Sequence, residues 1–284
     1  MQCTGSPLLL LIVYGRKWVV NRASSLSLFY WIVVLVAGAV IGSFLNVVIH
    51  RGPSMWKLID DAAPRGTLIA PRSYCPHCRS QIPPWRLIPI VSYVLQGGRC
   101  AACSAKISVR YPLIESAGIL IAAVAYLIFG LTATALFAAV LGWVLLALAA
   151  IDWETGFLPD MLTLPLIALG FAANLGGHFT PIGEALIGAA AGYIVFRLIG
   201  AGFQSFRGYE GLGQGDAKLV AAIGAWGGWQ VLPFAIFAGS VLTLLAVLMM
   251  RALGKTVAAD TAIPFGPGLC AGGYISVMAS HLLV

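Results

Sequence analysis

Apolar residues in this chain come in long unbroken runs, without the alternation of strands or the three-to-four spacing of half-buried helices. Runs with no or almost no charge cover residues 26–49, 113–131, 133–151, 182–202, 230–250 and 263–284. Each is near the ~20 residues that a helix needs to cross a hydrocarbon core of about 30 Å. Two further runs, 161–175 and 217–229, fall short of that length. They count as spans because the chain must return across the membrane, and a span that starts at a water-filled site can be short. Backbone groups in lipid have to be paired within their own segment, so the spans are expected to be helices. The pattern therefore predicts an all-α membrane protein, a polytopic bundle of about eight transmembrane helices.

Composition agrees. The chain is 60% apolar and 10% charged, with a mean hydropathy of +0.93, where a soluble domain carries about 25% charged residues. No internal repeat is visible, which leaves a solenoid without support. The expected organisation is an N-terminal extension (1–25), a first span (26–50), a basic loop rich in Pro, Cys and Arg (51–111), and a membrane-embedded core (112–284). In the extension, the apolar stretch 7–14 is too short to span. The Gly-Arg-Lys that follows does not resemble a signal-cleavage site, so the segment reads as a weakly ordered tail or a misassigned start. The small residues Gly188, Ala189, Ala190, Ala191 and Gly192 are read as helix packing.

Charge sets the expected orientation. Nine of the 17 basic residues lie between Arg51 and Arg110, against Asp60 and Asp61 alone. Arg207, Arg251 and Lys255 fall on the same side when eight spans are threaded, whereas the opposite loops around Gly130, residues 176–181 and Gly227–Gly228 carry no Lys or Arg. By the positive-inside rule the basic loops are cytosolic; Arg16, Lys17 and Arg22 break the rule locally. The net charge of +7 is accounted for by these membrane-adjacent loops, so nucleic acid is not an expected partner and lipid is.

Against this apolar background two aspartates stand out. Asp152 closes the run 133–151, and Asp216 opens the run 217–229 after the glycine-rich Gly213-Gln214-Gly215. An ionisable side chain at membrane depth is by default a functional candidate. Threading brings both to one face at similar depth. A carboxylate dyad can hydrolyse a peptide by sharing one proton: the ionised member takes a proton from water while the other donates to the carbonyl oxygen. Gly213 and Gly215 are expected to permit positive φ and close approach of an extended substrate. The alternative is that the aspartates are helix caps. That suits Asp216 and also Asp160, which precedes the run 161–175, because Asp favours helix N-termini. It suits Asp152 poorly, since a helix C-terminus disfavours an anion.

The basic loop holds Cys75-Pro-His-Cys78 and Cys100-Ala-Ala-Cys103. Two such knuckles can present four thiolates to one tetrahedral zinc ion, and a reducing cytosol argues against disulfides. The metal would order a loop with too little apolar content to fold alone. Redox or unpaired thiols are the alternative. His77 could replace a ligand, although four cysteines already fill the shell. Cys3 and Cys270 are read as ordinary residues.

These residues resemble a known family. The stretch from Asp152 through Leu158-Pro159-Asp160 to Leu162-Thr163-Leu164-Pro165 is similar to a signature of bacterial type IV prepilin peptidases. So are Gly213-Gln-Gly215-Asp216-Ala-Lys218-Leu219, the first-span stretch from Gly42 through Asn46 to Arg51, and Pro264-Phe-Gly266-Pro267. The resemblance implies a GxGD-type membrane aspartyl protease, multi-pass in the bacterial inner membrane, with its active site facing the cytosol. Implied substrates are type IV prepilins and type II secretion pseudopilins, cut after a glycine between a basic leader and a hydrophobic helix. Carried over by position, Asp152 and Asp216 are catalytic, with Gly213, Gly215, Lys218 and Asp160 in support; Asp160 is the alternative first member of the pair. Cys75, Cys78, Cys100 and Cys103 would hold structural zinc. The resemblance also implies N-methylation of the new N-terminal residue, with S-adenosylmethionine as donor. No glycine-rich cofactor turn marks a donor site, and Gly42, Asn46, Arg51, Arg110 and Glu115 are weak candidates. Arg110 can equally be a positive-inside anchor paired with Glu115. Glu154, Asp160 and Glu210 could attract a basic leader, or be solvated loop residues. Two other classes compete with the protease: a transporter whose aspartates bind a proton or cation, and a non-catalytic assembly factor built on the cysteine loop.

Overall fold

The structure, a computed structural model, describes residues 7–59, 65–207, 213–254 and 264–281. Cys3, Asp60, Asp61, Glu210 and Lys255 lie outside the described residues, as do the side chains of Arg16, Lys17, Arg22 and Arg207. The helices are α1 (Pro7–Met55), the short α2 (Val91–Leu95), α3 (Arg110–Phe129), α4 (Ala133–Thr155), α5 (Asp160–Leu175), α6 (Ile182–Arg207), α7 (Gln214–Gly227), α8 (Leu232–Ala252) and α9 (Gly266–Ser280). All eight apolar runs are thus helical, and five of the helices are long and apolar enough to cross a membrane. The first helix differs from expectation at both ends. It continues back to Pro7 through the segment read as a loose extension, and it runs past Arg51 to Met55.

The short α7 is explained by its position. Between Leu219 and Gly227 every residue is buried, because α5, α6 and α9 surround it. A helix enclosed by protein need not match the bilayer thickness. Its close neighbours are made possible by small residues: a Cβ on Gly188 of α6 would meet the Gly224 and Gly228 backbones, and one on Gly192 would meet Val220. The small-residue stripe is therefore helix packing. At the far end Trp226, fully buried, donates its Nε1–H to the Leu166 carbonyl at 2.8 Å, while Asn174 Nδ2 reaches the carbonyls of Ala225 and Trp226. These bonds lock α5 against α7.

The bundle has two poles. One gathers the ends of α4 and α6, the starts of α5, α7 and α9, and the cysteine loop between α1 and α3. At the other, Phe129, Phe179 and His281 meet edge to face.

Candidate active site

Asp152 lies in the last helical turn of α4. The helix stops just beyond it because Gly156 adopts φ +72°, with its N–H on the Asp152 carbonyl at 2.8 Å. A left-handed residue at this place is the usual glycine C-cap. The Asp152 side chain is only 6% exposed. It faces the start of α9, where a Cβ on Gly266 would lie 2.5 Å from Oδ2. The Gly266 amide lies against the carboxylate, yet among the described residues no partner reaches Oδ2 in hydrogen-bonding geometry. A buried acceptor left in that state is uncommon and calls for an explanation.

Asp216 comes to the same place from α7. It is half-buried, near enough to Asp152 for the two carboxylates to repel each other, and the Gly213 amide interacts with it. Gly213 is the N-cap and Asp216 sits in the first turn, so the capping interaction weighed for Asp216 is present. It coexists with the pairing to Asp152. Cys270, buried on α9, feels both carboxylates. The structure thus brings to one pole two aspartates with two helices, α5 and α6, between them in the chain.

Asp160 is treated differently. Lys218, two residues beyond Asp216 on α7, donates to both of its oxygens at 2.6 and 2.7 Å. The carboxylate is exposed and fully engaged by a cation. Both residues stand in the motifs read from the sequence, but their mutual contact does not follow from spacing, since it joins helices far apart in the chain.

The glycines of the turn work otherwise than expected. Gly213 has φ −63°, and neither it nor Gly215 adopts positive φ. The requirement at Gly215 is steric: a Cβ there would approach Leu158 Cβ to 2.9 Å. The turn between α4 and α5 is thereby seated on the start of α7. Beside Asp152, an apolar groove runs between α8 and α9, lined among others by Trp153, Thr243, Met250, Pro264 and Gly268.

Beyond α1 the cysteine loop forms two matching knuckles. In each, the first cysteine accepts and donates backbone bonds around the turn: Cys75 N–H to Ser80 O and Arg79 N–H to Cys75 O, then Cys100 N–H to Ala105 O and Ser104 N–H to Cys100 O. Arg79 and Ser104, each following the second cysteine, both sit near φ +58° (57° and 59°). One sulfur from each of Cys75, Cys78, Cys100 and Cys103 lies within 4.8 Å of the others, and Cys75 and Cys103 are 3.8 Å apart. Tetrahedral coordination at ~2.3 Å separates sulfurs by about 3.8 Å. Hydrogen bonds from the Ala102 and Cys103 amides pull the Cys100 thiol down to about 6. The cluster can bind a metal ion, and His77, exposed, is outside it.

Comparison with known proteins then decides the family. The bacterial peptidase A24 N-terminal domain matches residues 36–129 and the type IV leader peptidase family matches residues 139–248. A prepilin leader peptidase/N-methyltransferase of Burkholderia pseudomallei is 44% identical over 254 residues, covering 84% of this chain and 82% of that protein. Those of Pseudomonas aeruginosa (41%; 86% and 88% covered) and Neisseria gonorrhoeae (42%; 90% and 93%) are similar over comparable lengths. The chain belongs to the type IV leader peptidase family. No solved structure matches it.

Within this family member, Gly42, Asn46 and Arg51 make contacts that join α1 to α3 and to the cysteine loop. Arg51 is buried and donates to the Thr67 and Pro71 carbonyls at 2.6 and 2.8 Å. Asn46 Nδ2 reaches Tyr111 O at 3.1 Å, and a Cβ on Gly42 would strike the Glu115 backbone. The expected pairing of Arg110 with Glu115 is replaced by two others. Arg110 forms an ion pair with Glu154, and Glu115 accepts the Ile90 N–H at 2.7 Å. Glu154 is consequently engaged by a cation of the protein itself, which weakens its proposed attraction for a basic leader.

Proposed function

We propose that this chain cleaves the basic leaders of type IV prepilins and type II secretion pseudopilins at the cytosolic face of the inner membrane, using Asp152 and Asp216. The observation that carries this reading is the contrast at the pole: two aspartates lie close enough to repel each other with no cation paired to them among the described residues, one with a buried oxygen that no described group reaches, while the third is neutralised by Lys218. Like charges in contact titrate as a pair that shares one proton. The ionised member takes a proton from water, the resulting hydroxide attacks the scissile carbonyl, and the protonated member donates to the carbonyl oxygen. Collapse of the tetrahedral intermediate breaks the C–N bond as a carboxyl proton passes to the leaving amine. Gly266 leaves the space beside Asp152 Oδ2 that a side chain would fill.

The substrate chemistry fits the setting. A basic leader stays in the cytosol while the apolar segment behind the scissile bond sits in lipid, where the groove beside Trp153 offers a matching surface. Lys218 and Asp160 hold the start of α7 against α5, and Gly213 and Gly215 allow the turn to close.

Zinc would be held by Cys75, Cys78, Cys100 and Cys103, ordering the loop. Four thiols this close cannot all ionise without a cation, so the donor set suits a divalent metal. As the names of its relatives indicate for them, the chain would also N-methylate the newly exposed residue, with S-adenosylmethionine as donor.

The test is purified protein with a prepilin and the methyl donor, read by product mass. Wild type should give a product lacking the leader and heavier by one methyl group. Unchanged precursor would contradict the reading. A transporter would give unchanged precursor and ion-dependent flux instead.

A further inference from the structure

The cysteine loop carries a surface that neither metal binding nor peptide cleavage uses. A short 3-10 turn at Pro84–Leu87 leads into α2, and together they expose Trp85 (70%), Leu87, Ile88, Val91, Val94 (68%) and Leu95 (81%). Only Ser92 of α2 is buried, where its hydroxyl ties α2 to the Trp85 carbonyl. Contiguous apolar exposure of this kind marks an interaction surface.

Its depth is set by one hydrogen bond. Helix α3 has 20 residues, about 30 Å at 1.5 Å per residue, so it is just long enough to cross the hydrocarbon. Glu115 lies about 7 Å along that axis from Arg110. Its carboxylate, buried at 8% exposure, accepts the Ile90 N–H at 2.7 Å. Ile90 is therefore held at or below the level where α3 enters the bilayer, and Val109, just before α3, and Leu113, within it, are exposed as well.

The backbone suits a dry boundary. Pro84 and Pro89 have no N–H, and those of Val91, Ser92, Val94, Gln96, Gly97 and Gly98 are all bonded within the segment. Ile90 itself sits at φ +59°, ψ −50° in a γ-turn closed by Val91 N–H to Pro89 O. This strained geometry leaves its own N–H pointing to Glu115. Segment 65–109 supplies Arg65, Arg72, Arg79, Arg86, Arg99 and Lys106 and no acidic residue, a charge complementary to anionic headgroups.

We propose that residues 84–95 are an interfacial foot: α2 and Trp85 insert into the same leaflet that surrounds α3, and the flanking arginines bind anionic lipid headgroups. The foot would hold the metal-binding knuckles close to the membrane surface, independently of the peptidase reaction.

The test uses the full chain in lipid nanodiscs with brominated acyl chains, comparing wild type with Trp85→Phe so that the difference isolates Trp85 emission. In discs containing phosphatidylglycerol, brominated lipid should quench that emission by about half or more, and aqueous acrylamide should have little effect. Val94→Asp with Leu95→Asp should move Trp85 into acrylamide reach. Quenching by acrylamide and not by brominated lipid would overturn the proposal. Protection from both would overturn it too, assigning the face to a protein partner or a second copy. Equal quenching in purely zwitterionic discs would overturn the role given to the arginines.

Discussion

The last turn of α4 and the first turn of α5 each carry an aspartate, and the fold treats them in opposite ways. Asp160 is exposed and grips a lysine with both oxygens. Asp152 is buried, has no cation and no partner for Oδ2 among the described residues, and lies near enough to a second carboxylate to repel it. An interfacial carboxylate with its own counter-ion is satisfied and gains nothing by binding water. One that is buried, unpaired and beside a like charge is in a state that structure alone does not reward, and such states concentrate at reactive sites. Burial and partners, more than position in a motif, separate the two.

The comparison can be broken or sharpened at several points. The largest effect is expected at Asp216→Asn, which removes the partner common to either pairing. Cleavage should fall by about 10³-fold or more, read by precursor accumulation at normal protein level; retained cleavage would remove the dyad altogether. Next comes Gly266→Ala, whose methyl group would lie 2.5 Å from Asp152 Oδ2. A displacement of that size at a reacting group costs about 10²-fold in kcat with little change in KM, while Gly268→Ala, which strikes Thr243 Oγ1 instead, should act on helix packing and lower thermal stability. A smaller loss, about tenfold, is expected for Lys218→Met, because releasing Asp160 loosens the start of α7. Restoring the pair in reverse, Asp160→Lys with Lys218→Asp, should recover part of it. The smallest effect on cleavage is expected at Glu115. Glu115→Gln keeps an acceptor for Ile90 N–H and should leave amide exchange in residues 88–96 nearly unchanged, whereas Glu115→Ala should accelerate it about tenfold or more.

Much of this was legible in the sequence, for reasons that differ by region. Long apolar runs leave helices as the only spanning solution, so all eight emerged from composition, including the short 217–229. The knuckle spacing of Cys75, Cys78, Cys100 and Cys103 encodes a local geometry, and the sulfurs meet accordingly. What was hidden is long-range. Nothing in spacing joins Lys218 to Asp160, Arg110 to Glu154, or Glu115 to Ile90; each arises from helices docking against partners distant in the chain. Neither Gly213 nor Gly215 takes the expected positive φ; what Gly215 shows instead is close contact with Leu158, which spacing does not reveal. Cys270, read as an ordinary residue, lies in the field of both aspartates. An apolar helix gives no sign from composition of which face it turns to a site.

The most direct test sets Asp152→Asn against Asp160→Asn in single-turnover cleavage of a prepilin, with methyl transfer to an already trimmed pilin as a control for folding. If Asp152 and Asp216 together activate water, Asp152→Asn should match Asp216→Asn in losing cleavage while Asp160→Asn remains within about tenfold of wild type, all three still methylating. Robust cleavage by Asp152→Asn, with loss in Asp160→Asn, would place the reacting pair on Asp160 and Asp216 and contradict the account.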